Sequence, residues 1–210
     1  MGVIRKLASS IGRNDEEPNI DLAREIAAEG DANAVRELVG HLFGSNRAIQ
    51  SDCIKVLYEI GAIDPALISG ELQTFASLLD HKNNRLVWGA INAIEAIALT
   101  SPDDVYELLP AILEAAEDSG SVIARDRAFG ILVRLSSTHA YAEHAFPLLL
   151  DQLKRCPTNQ LPMYAENALP LVHAGNKQIY RETLLDRLIG IEQDSKRQRV
   201  ERAIRKAETR

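Results

Sequence analysis

The sequence repeats itself about every 37 residues, and this period constrains the fold more than any other feature. Five segments align without gaps: residues 51–61, 88–98, 126–136, 163–173 and 198–208. Small or apolar residues recur in each copy at positions i, i+3, i+4 and i+7, a spacing that places them on one face of an α-helix. A unit this short cannot bury an apolar face alone, so the repetition predicts a stack of similar units.

Each of these helices is preceded by a second segment with helical spacing of apolar residues. The predicted first helices are Val35–Leu42, Leu67–Leu79, Val105–Leu113, Phe146–Leu153 and Ile179–Ile189. The apolar residues are mostly Leu, Ile, Ala and Val, and aromatic residues make up only 5 % of the chain, which favours helices over sheets. We therefore predict an all-α fold, a right-handed α-solenoid of about five to six antiparallel helix pairs.

The predicted domain organisation is an N-terminal cap followed by the repeat array. The array covers residues 31–210, with helix pairs at 31–61, 65–99, 102–136, 140–173 and 177–209. Residues 1–30 are expected to form capping helices, over about 2–12 and 20–29, separated by a flexible joint at 13–18.

Two prolines mark equivalent places in successive first helices. Pro110 in ELLPAILEAA and Pro147 in HAFPLLLDQL are 37 residues apart. Proline inside a helix costs about 3 kcal/mol, because it removes one backbone hydrogen bond and clashes one turn back. With these prolines, residues 107–135 and 144–153 resemble the HEAT-repeat family, whose first helices often carry a proline in such a run. The resemblance spans about residues 31–208, although Pro170, inside a second helix, departs from the family pattern.

In such an array the second helices are expected to line a concave face that binds a partner. The helical geometry of 100° per residue selects the side chains that point away from the buried columns. The candidate partner-binding residues are Lys55, Tyr58, Trp88, Asn92, Glu95, Asp126, Met163, Asn167, Arg202 and Arg205. Trp88, expected near Tyr58 and Met163, is either an exposed anchor for a partner or part of the core between repeats.

Charge is distributed unevenly along the chain. The net charge is −6, yet residues 195–210 contain seven basic and two acidic residues, so the other 194 residues carry −11. DNA binding requires several phosphate contacts from Lys or Arg. We therefore predict no specific nucleic-acid binding, and a basic last helix whose polar outer face keeps the end of the stack soluble. No uncharged apolar run approaches the roughly 18 residues that would predict a membrane span.

The common catalytic and cofactor-binding motifs are missing from the sequence. It contains no glycine-rich phosphate loop and no HExxH, CxxC or GxSxG motif, and its five histidines are scattered. We therefore expect no enzyme activity, no cofactor and no metal site. Cys53 and Cys156 are expected to be reduced thiols of a cytoplasmic protein.

These observations predict a non-catalytic scaffold that binds a peptide or helix in its groove, which is also what the resemblance implies. Two alternatives have different chemistry. Some alkylpurine DNA glycosylases have HEAT-like repeats with tryptophans and an aspartate on the concave face, which makes Trp88 and Asp126 relevant. Bilin lyase-like chaperones also contain such repeats.

Overall fold

The computed structural model describes residues 2–210, which form α-helices and short 3-10 turns and, within that range, no β-strand. The α-helices are α1 (Glu17–Glu29), α2 (Ala32–Gly40), α3 (Arg47–Ile63), α4 (Pro65–Ser69), α5 (Leu72–Ala76), α6 (Asn84–Ile97), α7 (Pro102–Asp118), α8 (Val122–Ser136), α9 (Ala142–Arg155), α10 (Leu161–Ala168), α11 (Lys177–Leu188) and α12 (Asp194–Glu208). The 3-10 turns cover Val3–Lys6, Ser9–Ile11 and Leu169–Leu171.

The five predicted second helices are present as α3, α6, α8, α10 with its following 3-10 turn, and α12. Their aligned columns are buried in every copy: in α3 the four column residues are fully buried, and in α12 none is more than 7 % exposed. The repeat was recognisable because these columns pack against neighbouring helices and exclude water, which restricts them to small or apolar side chains. The all-α prediction is confirmed.

One predicted first helix is interrupted. The apolar pattern over Leu67–Leu79 predicts a continuous helix, but the structure contains two five-residue helices, α4 and α5, separated at Gly70 and Glu71. Glycine costs about 1 kcal/mol relative to alanine inside a helix, so the break falls where continuation is least favourable. Asp64 caps α4, because its carboxylate accepts a hydrogen bond from the Ala66 amide at 3.1 Å.

The prolines have two different effects. Helices α7 and α9 continue through Pro110 and Pro147, and both prolines lie on the exposed side of their helix. Because proline has no N–H group, the carbonyl one turn earlier loses its hydrogen-bond donor. On the exposed side of the helix, water can donate to that carbonyl instead. By contrast, α10 ends at Ala168, and a 3-10 turn contains Pro170. The departure from the family pattern at Pro170 thus coincides with an end of regular α-helix.

The chain forms two compact units, one ending at Ile131 and the other beginning at Leu132. In the first unit, α1, α3 and α6 lie side by side, while α2 contacts α3 and α5 contacts α6. In the second unit, α12 packs against α10 and α11, and α11 also contacts α9. Within each unit, most contacts therefore join helices close in sequence, as expected for stacked helix pairs. The division into residues 1–30 and 31–210 remains a prediction.

Residues 2–12 do not form the predicted helix. A continuous α-helix would use the amides of Ala8 and Ser9 for bonds to carbonyls four residues earlier. Instead, the Ala8 amide donates to Asn19 Oδ1 at 2.9 Å, and the Ser9 amide donates to Asp52 Oδ2 at 2.8 Å. The fully buried Asn19 side chain also donates to Asp52 Oδ1 at 2.8 Å. This network attaches the two 3-10 turns to α1 and α3.

Helices α3 and α6 approach closely at Gly89. A Cβ atom at this position would lie 2.6 Å from Ile54 Cγ1 and 3.2 Å from Ile54 Cγ2. We expect Gly89→Ala to lower the free energy of unfolding by about 1–2 kcal/mol, because overpacking outweighs the gain of roughly 1 kcal/mol in helix propensity. Urea unfolding measures the change. Gly40→Ala, at a helical position with no neighbouring atom within 4 Å, is the control and should be neutral or stabilising. Equal effects of the two substitutions would contradict the packing argument.

Both cysteines are buried, and neither is in a disulfide bond. Burial, with a smaller contribution from Asp52 and Glu37, raises the pKa of the Cys53 thiol to about 12. Cys53 is therefore a small apolar core residue at neutral pH and does not form a reactive thiolate.

Candidate functional site

The first unit contains a cleft on the face formed by its second helices. Its volume is about 540 Å³, and α3 and α6 form its centre. The lining residues are Glu16, Lys55, Tyr58, Glu59, Ala62, Arg85, Trp88, Asn92, Ile123 and Arg127. Four of them, Lys55, Tyr58, Trp88 and Asn92, are candidates from the sequence, so the helical geometry placed these four side chains on a common surface.

An aromatic pair forms the floor of this cleft. The Tyr58 ring on α3 and the Trp88 ring on α6 have centroids 5.9 Å apart and are tilted by 48°. This geometry is within the range of favourable aromatic contacts. Tyr58 is buried, with 8 % exposure, whereas Trp88 is part-buried. The sequence suggests that Trp88 is either an exposed anchor or part of the core between repeats, and both descriptions apply. Its ring packs against the preceding repeat and also lines an open cleft.

A cation lies over each ring. Lys55 Nζ is 4.9 Å from the Tyr58 ring centroid, and the Arg85 guanidinium carbon is 5.2 Å from the Trp88 ring centroid. Each cation is within the roughly 6 Å at which a positive charge is attracted to an aromatic face. Lys55 is only 7 % exposed, so it lines the cleft as a largely buried cation, and its part in partner binding remains a prediction. Lysine rarely occupies such a site without a paired carboxylate.

Two carboxylates neutralise these cations. Lys55 Nζ lies 2.7 Å from Glu59 Oε1 and 3.1 Å from Glu16 Oε2, and Glu16 also forms an ion pair with Arg85. Burial alone would raise the pKa of Glu16, but hydrogen bonds from Arg85 and Lys55 outweigh it and lower the pKa. The pKa of Lys55 is raised, because Glu59 and Glu16 stabilise its charge more than burial opposes it. Glu16 is consequently ionised at neutral pH and bridges α3 and α6.

Helix α8 contributes the rest of the cleft rim. Arg127 Nη1 donates a hydrogen bond to Glu95 Oε2 at 3.1 Å, and Ile123 is 45 % exposed. Glu95 lies against the backbone of Gly130, where a Cβ atom would overlap its carboxylate. Glu95 and Asp126, the two acidic candidates from the sequence, are both part-buried.

The remaining candidate residues belong to the second unit. There Met163 on α10 is part-buried, while Asn167, Arg202 and Arg205 are exposed. On the same helices, Arg199 donates two hydrogen bonds to the Glu166 carboxylate, at 2.9 and 2.6 Å. Part of the basic charge of α12 is therefore neutralised by a carboxylate within the second unit.

Sequence reasoning missed most of the charged residues in the cleft. Arg85 and Ile123 lie in the first turns of second helices, outside the aligned segments. Arg127 lies inside the aligned segment 126–136, but at a position that the helical geometry did not assign to the open face, and Glu16 lies in the segment predicted to be a flexible joint. A search for a carboxylate to pair with Lys55 would have found Glu59, four residues later on the same helix. No sequence signal identified Glu16, because its contacts are with residues 39 and 69 positions away.

Neither a metal site nor a membrane span is found among residues 2–210. No group of three or more His, Cys, Asp or Glu side chains in this range is arranged to hold a metal ion. No helix in the same range is both long and apolar enough to cross a bilayer.

The chain has the α-solenoid fold of armadillo and HEAT-like repeat proteins. A designed armadillo repeat protein in complex with the peptide (KR)4 is 15 % identical, with a TM-score of 0.65 and coverage of 98 % of each chain. Two engineered proteins have TM-scores of 0.61 and 0.63 at 18 % and 17 % identity, and both cover 100 % of this chain and at least 98 % of their own. No protein-family model and no curated protein matches the chain.

Proposed function

We propose that this protein is a non-catalytic interaction scaffold that holds a peptide or helix along the face of its second helices. The observation that carries the proposal is the Tyr58–Trp88 pair, which comes from two successive repeats and lies in a cleft of about 540 Å³. The anchor is Trp88, the part-buried member of the pair. Tyr58 is the buried member, and its ring packs against the Trp88 ring.

The chemistry of the cleft is typical of a site for a protein partner. Trp, Tyr and Arg are the residues most enriched among those that dominate binding energy at protein interfaces. Here Trp88 contacts both Tyr58 and Arg85, and the apolar side chains of Ala62 and Ile123 line the same cleft. The apolar groups of a ligand could pack against the aromatic and aliphatic side chains, and its polar groups could form hydrogen bonds with the charged ones.

The structural comparisons support a peptide ligand at the level of the fold. One of the similar structures, a designed armadillo repeat protein, is in complex with a peptide. The ligand of that designed protein is basic, and its charge does not transfer to this chain, because the charges of the present cleft differ. What supports the proposal here is the shared α-solenoid fold together with the aromatic cleft.

The alternative of a DNA-binding protein is less consistent with the same cleft. Each of its three cations is paired with a carboxylate: Lys55 and Arg85 with Glu16, and Arg127 with Glu95. Paired cations contribute little to phosphate binding, since the neighbouring carboxylates repel the DNA backbone. The net charge of −11 on residues 1–194 adds to that repulsion.

Two adjacent residues on α8 allow a matched test of the proposed face. Ile123 is 45 % exposed and lines the cleft, whereas Val122 is 44 % exposed and does not. Both lie at the start of α8, where a new aspartate is compatible with the helix dipole. We expect Ile123→Asp to abolish capture of a partner protein from a source-cell extract, because it places a charge against the partner's apolar contact. Val122→Asp should capture the partner as the wild type does.

Quantitative mass spectrometry of proteins captured by the wild type and both variants measures this difference. Proteins retained by the wild type and by Val122→Asp, but lost with Ile123→Asp, are the expected partners. If every captured protein is recovered equally with both variants, the cleft is not the binding face.

A further inference from the structure

The carboxylate of Glu16 is held by groups from two other helices. It interacts with Lys55 Nζ on α3, at 3.1 Å, and with the guanidinium of Arg85 on α6. Although Glu16 is the residue at the N-terminal end of α1, its side chain makes no capping hydrogen bond to that helix. Its position is therefore explained by the cations of the cleft, and not by a local role in α1.

Glu16 leaves the hydrogen-bonding capacity of Arg85 only partly used. A guanidinium can bind a carboxylate through two parallel N–H groups. Glu16 accepts from Nη2 of Arg85, while Nε of Arg85 is buried and has no hydrogen-bond partner among residues 2–210. A buried donor without a partner is unfavourable, so the contact with Glu16 does not fully satisfy Arg85. A carboxylate that replaced Glu16 and bound Nε together with Nη2 would satisfy this donor.

Displacement of Glu16 would not leave a bare buried charge. Its side chain is 43 % exposed, so the released carboxylate regains water. Lys55 keeps its ion pair with Glu59, at 2.7 Å. The ion pair between Glu16 and Arg85 is partly exposed, at 43 % and 33 %, so solvent weakens it. Exchange of the Glu16 carboxylate for an external one therefore conserves the charge of the cleft.

We propose, as a refinement of the interaction function above, that the cradle of Lys55, Arg85 and Trp88 is a recognition site for an acidic side chain of the partner peptide. Glu16 occupies this site in the free protein and competes with the ligand. The partner's Glu or Asp binds the Arg85 guanidinium in place of Glu16, and adjacent apolar residues of the peptide contact Trp88 and Ile123.

The charge of the protein limits how acidic this peptide is. The net charge of −6 repels a strongly acidic ligand at long range, whereas the cradle attracts a carboxylate at short range. The apolar lining from Ala62 and Ile123 adds affinity only for apolar neighbours. The ligand class is accordingly a peptide with one acidic residue flanked by apolar residues.

The test uses two blocked pentapeptides, acetyl-Ala-Leu-Glu-Leu-Ala-amide and its twin with glutamine in the central position. Trp88 is the only tryptophan, so a single indole N–H resonance reports binding in NMR titrations. We expect Glu16→Gln to bind the glutamate peptide about fivefold to tenfold more tightly than the wild type. In the wild type the Glu16 carboxylate occupies the cradle and lowers the apparent affinity for the peptide, and the substitution removes this competitor. Affinity for the glutamine twin should not rise.

Glu17→Gln is the matched control, because Glu17 is exposed, adjacent in sequence and not part of the cleft. It should bind the glutamate peptide as the wild type does. Glu16→Ala provides a second variant that removes the competitor entirely, and thermal melts verify that both Glu16 variants are folded. Equal affinity of wild type and Glu16→Gln for the glutamate peptide, equal gains for the two peptides, or no binding by either Glu16 variant would each overturn the proposal. The capture experiment with Ile123→Asp and Val122→Asp judges the interaction function separately.

Discussion

Deletion of residues 194–210 is expected to lower the free energy of unfolding of the second unit by about 5 kcal/mol or more. This segment contains α12, whose Val200, Ala203, Ile204 and Ala207 are at most 7 % exposed. Burial of each larger apolar side chain contributes about 1.5–3 kcal/mol. The deletion also uncovers apolar surface on α10 and α11, which pack against α12. Since whole domains are stable by only about 5–15 kcal/mol, this loss is severe.

Thermal unfolding followed by circular dichroism, together with binding of an apolar dye, measures the effect of the deletion. The control is the double substitution Arg202→Ala and Arg205→Ala, which removes two exposed charges of α12 and keeps its buried face. We expect the control to melt near the wild-type temperature and to bind little dye. A truncated chain that melts like the intact one would show that α12 is an appendage, and the count of stacked pairs would be one too high.

Trp88→Ala is expected to weaken partner binding by about 2 kcal/mol or more, which is roughly a 30-fold loss of affinity. The indole is part-buried, packs on Tyr58 and lies under the Arg85 guanidinium, so stability also falls. Loss of an aromatic contact of about 0.5–1.5 kcal/mol and a cation–π contact of about 0.5–1 kcal/mol gives a decrease of about 1–2.5 kcal/mol. That is smaller than the 3–5 kcal/mol expected for a fully buried tryptophan.

Two measurements separate these effects. Urea unfolding gives the stability of Trp88→Ala, and titration of the captured partner gives the affinity. Phe43→Ala is the matched control, because Phe43 is 58 % exposed and lies outside the cleft. It should change neither quantity by more than about 0.5 kcal/mol. A Trp88→Ala variant that loses 3–5 kcal/mol of stability but binds its partner normally would identify Trp88 as a core residue only.

The second helices could be predicted from the sequence because burial acts on them at a fixed helical period. In α6, for example, Ala90, Ala93, Ile94 and Ile97 are all fully buried, and each is small or apolar as the alignment requires. The same columns gave the direction of the opposite face, which placed Trp88 and Asn92 in the cleft. Periodicity encodes such local geometry directly.

Periodicity does not encode which neighbour covers a helix. Lys55 and Tyr58 lie on the face predicted to be open, yet both are buried, because α1 lies beside α3 and Glu16 reaches Lys55. Residues 2–29 lack the repeat pattern, so alignment could not predict how they pack. The same limitation applies to the 3-10 turns, whose amides bond to side chains distant in sequence.

Those amides have a consequence for hydrogen exchange. Short, isolated turns normally open easily, and their amide protons then exchange rapidly with solvent. The amides of Ala8 and Ser9 are bonded instead to Asn19 and Asp52, and Asn19 is fully buried. They can exchange only when the turns detach from these two side chains, which belong to α1 and α3. The protection of these two amides would therefore report how often the turns detach from α1 and α3.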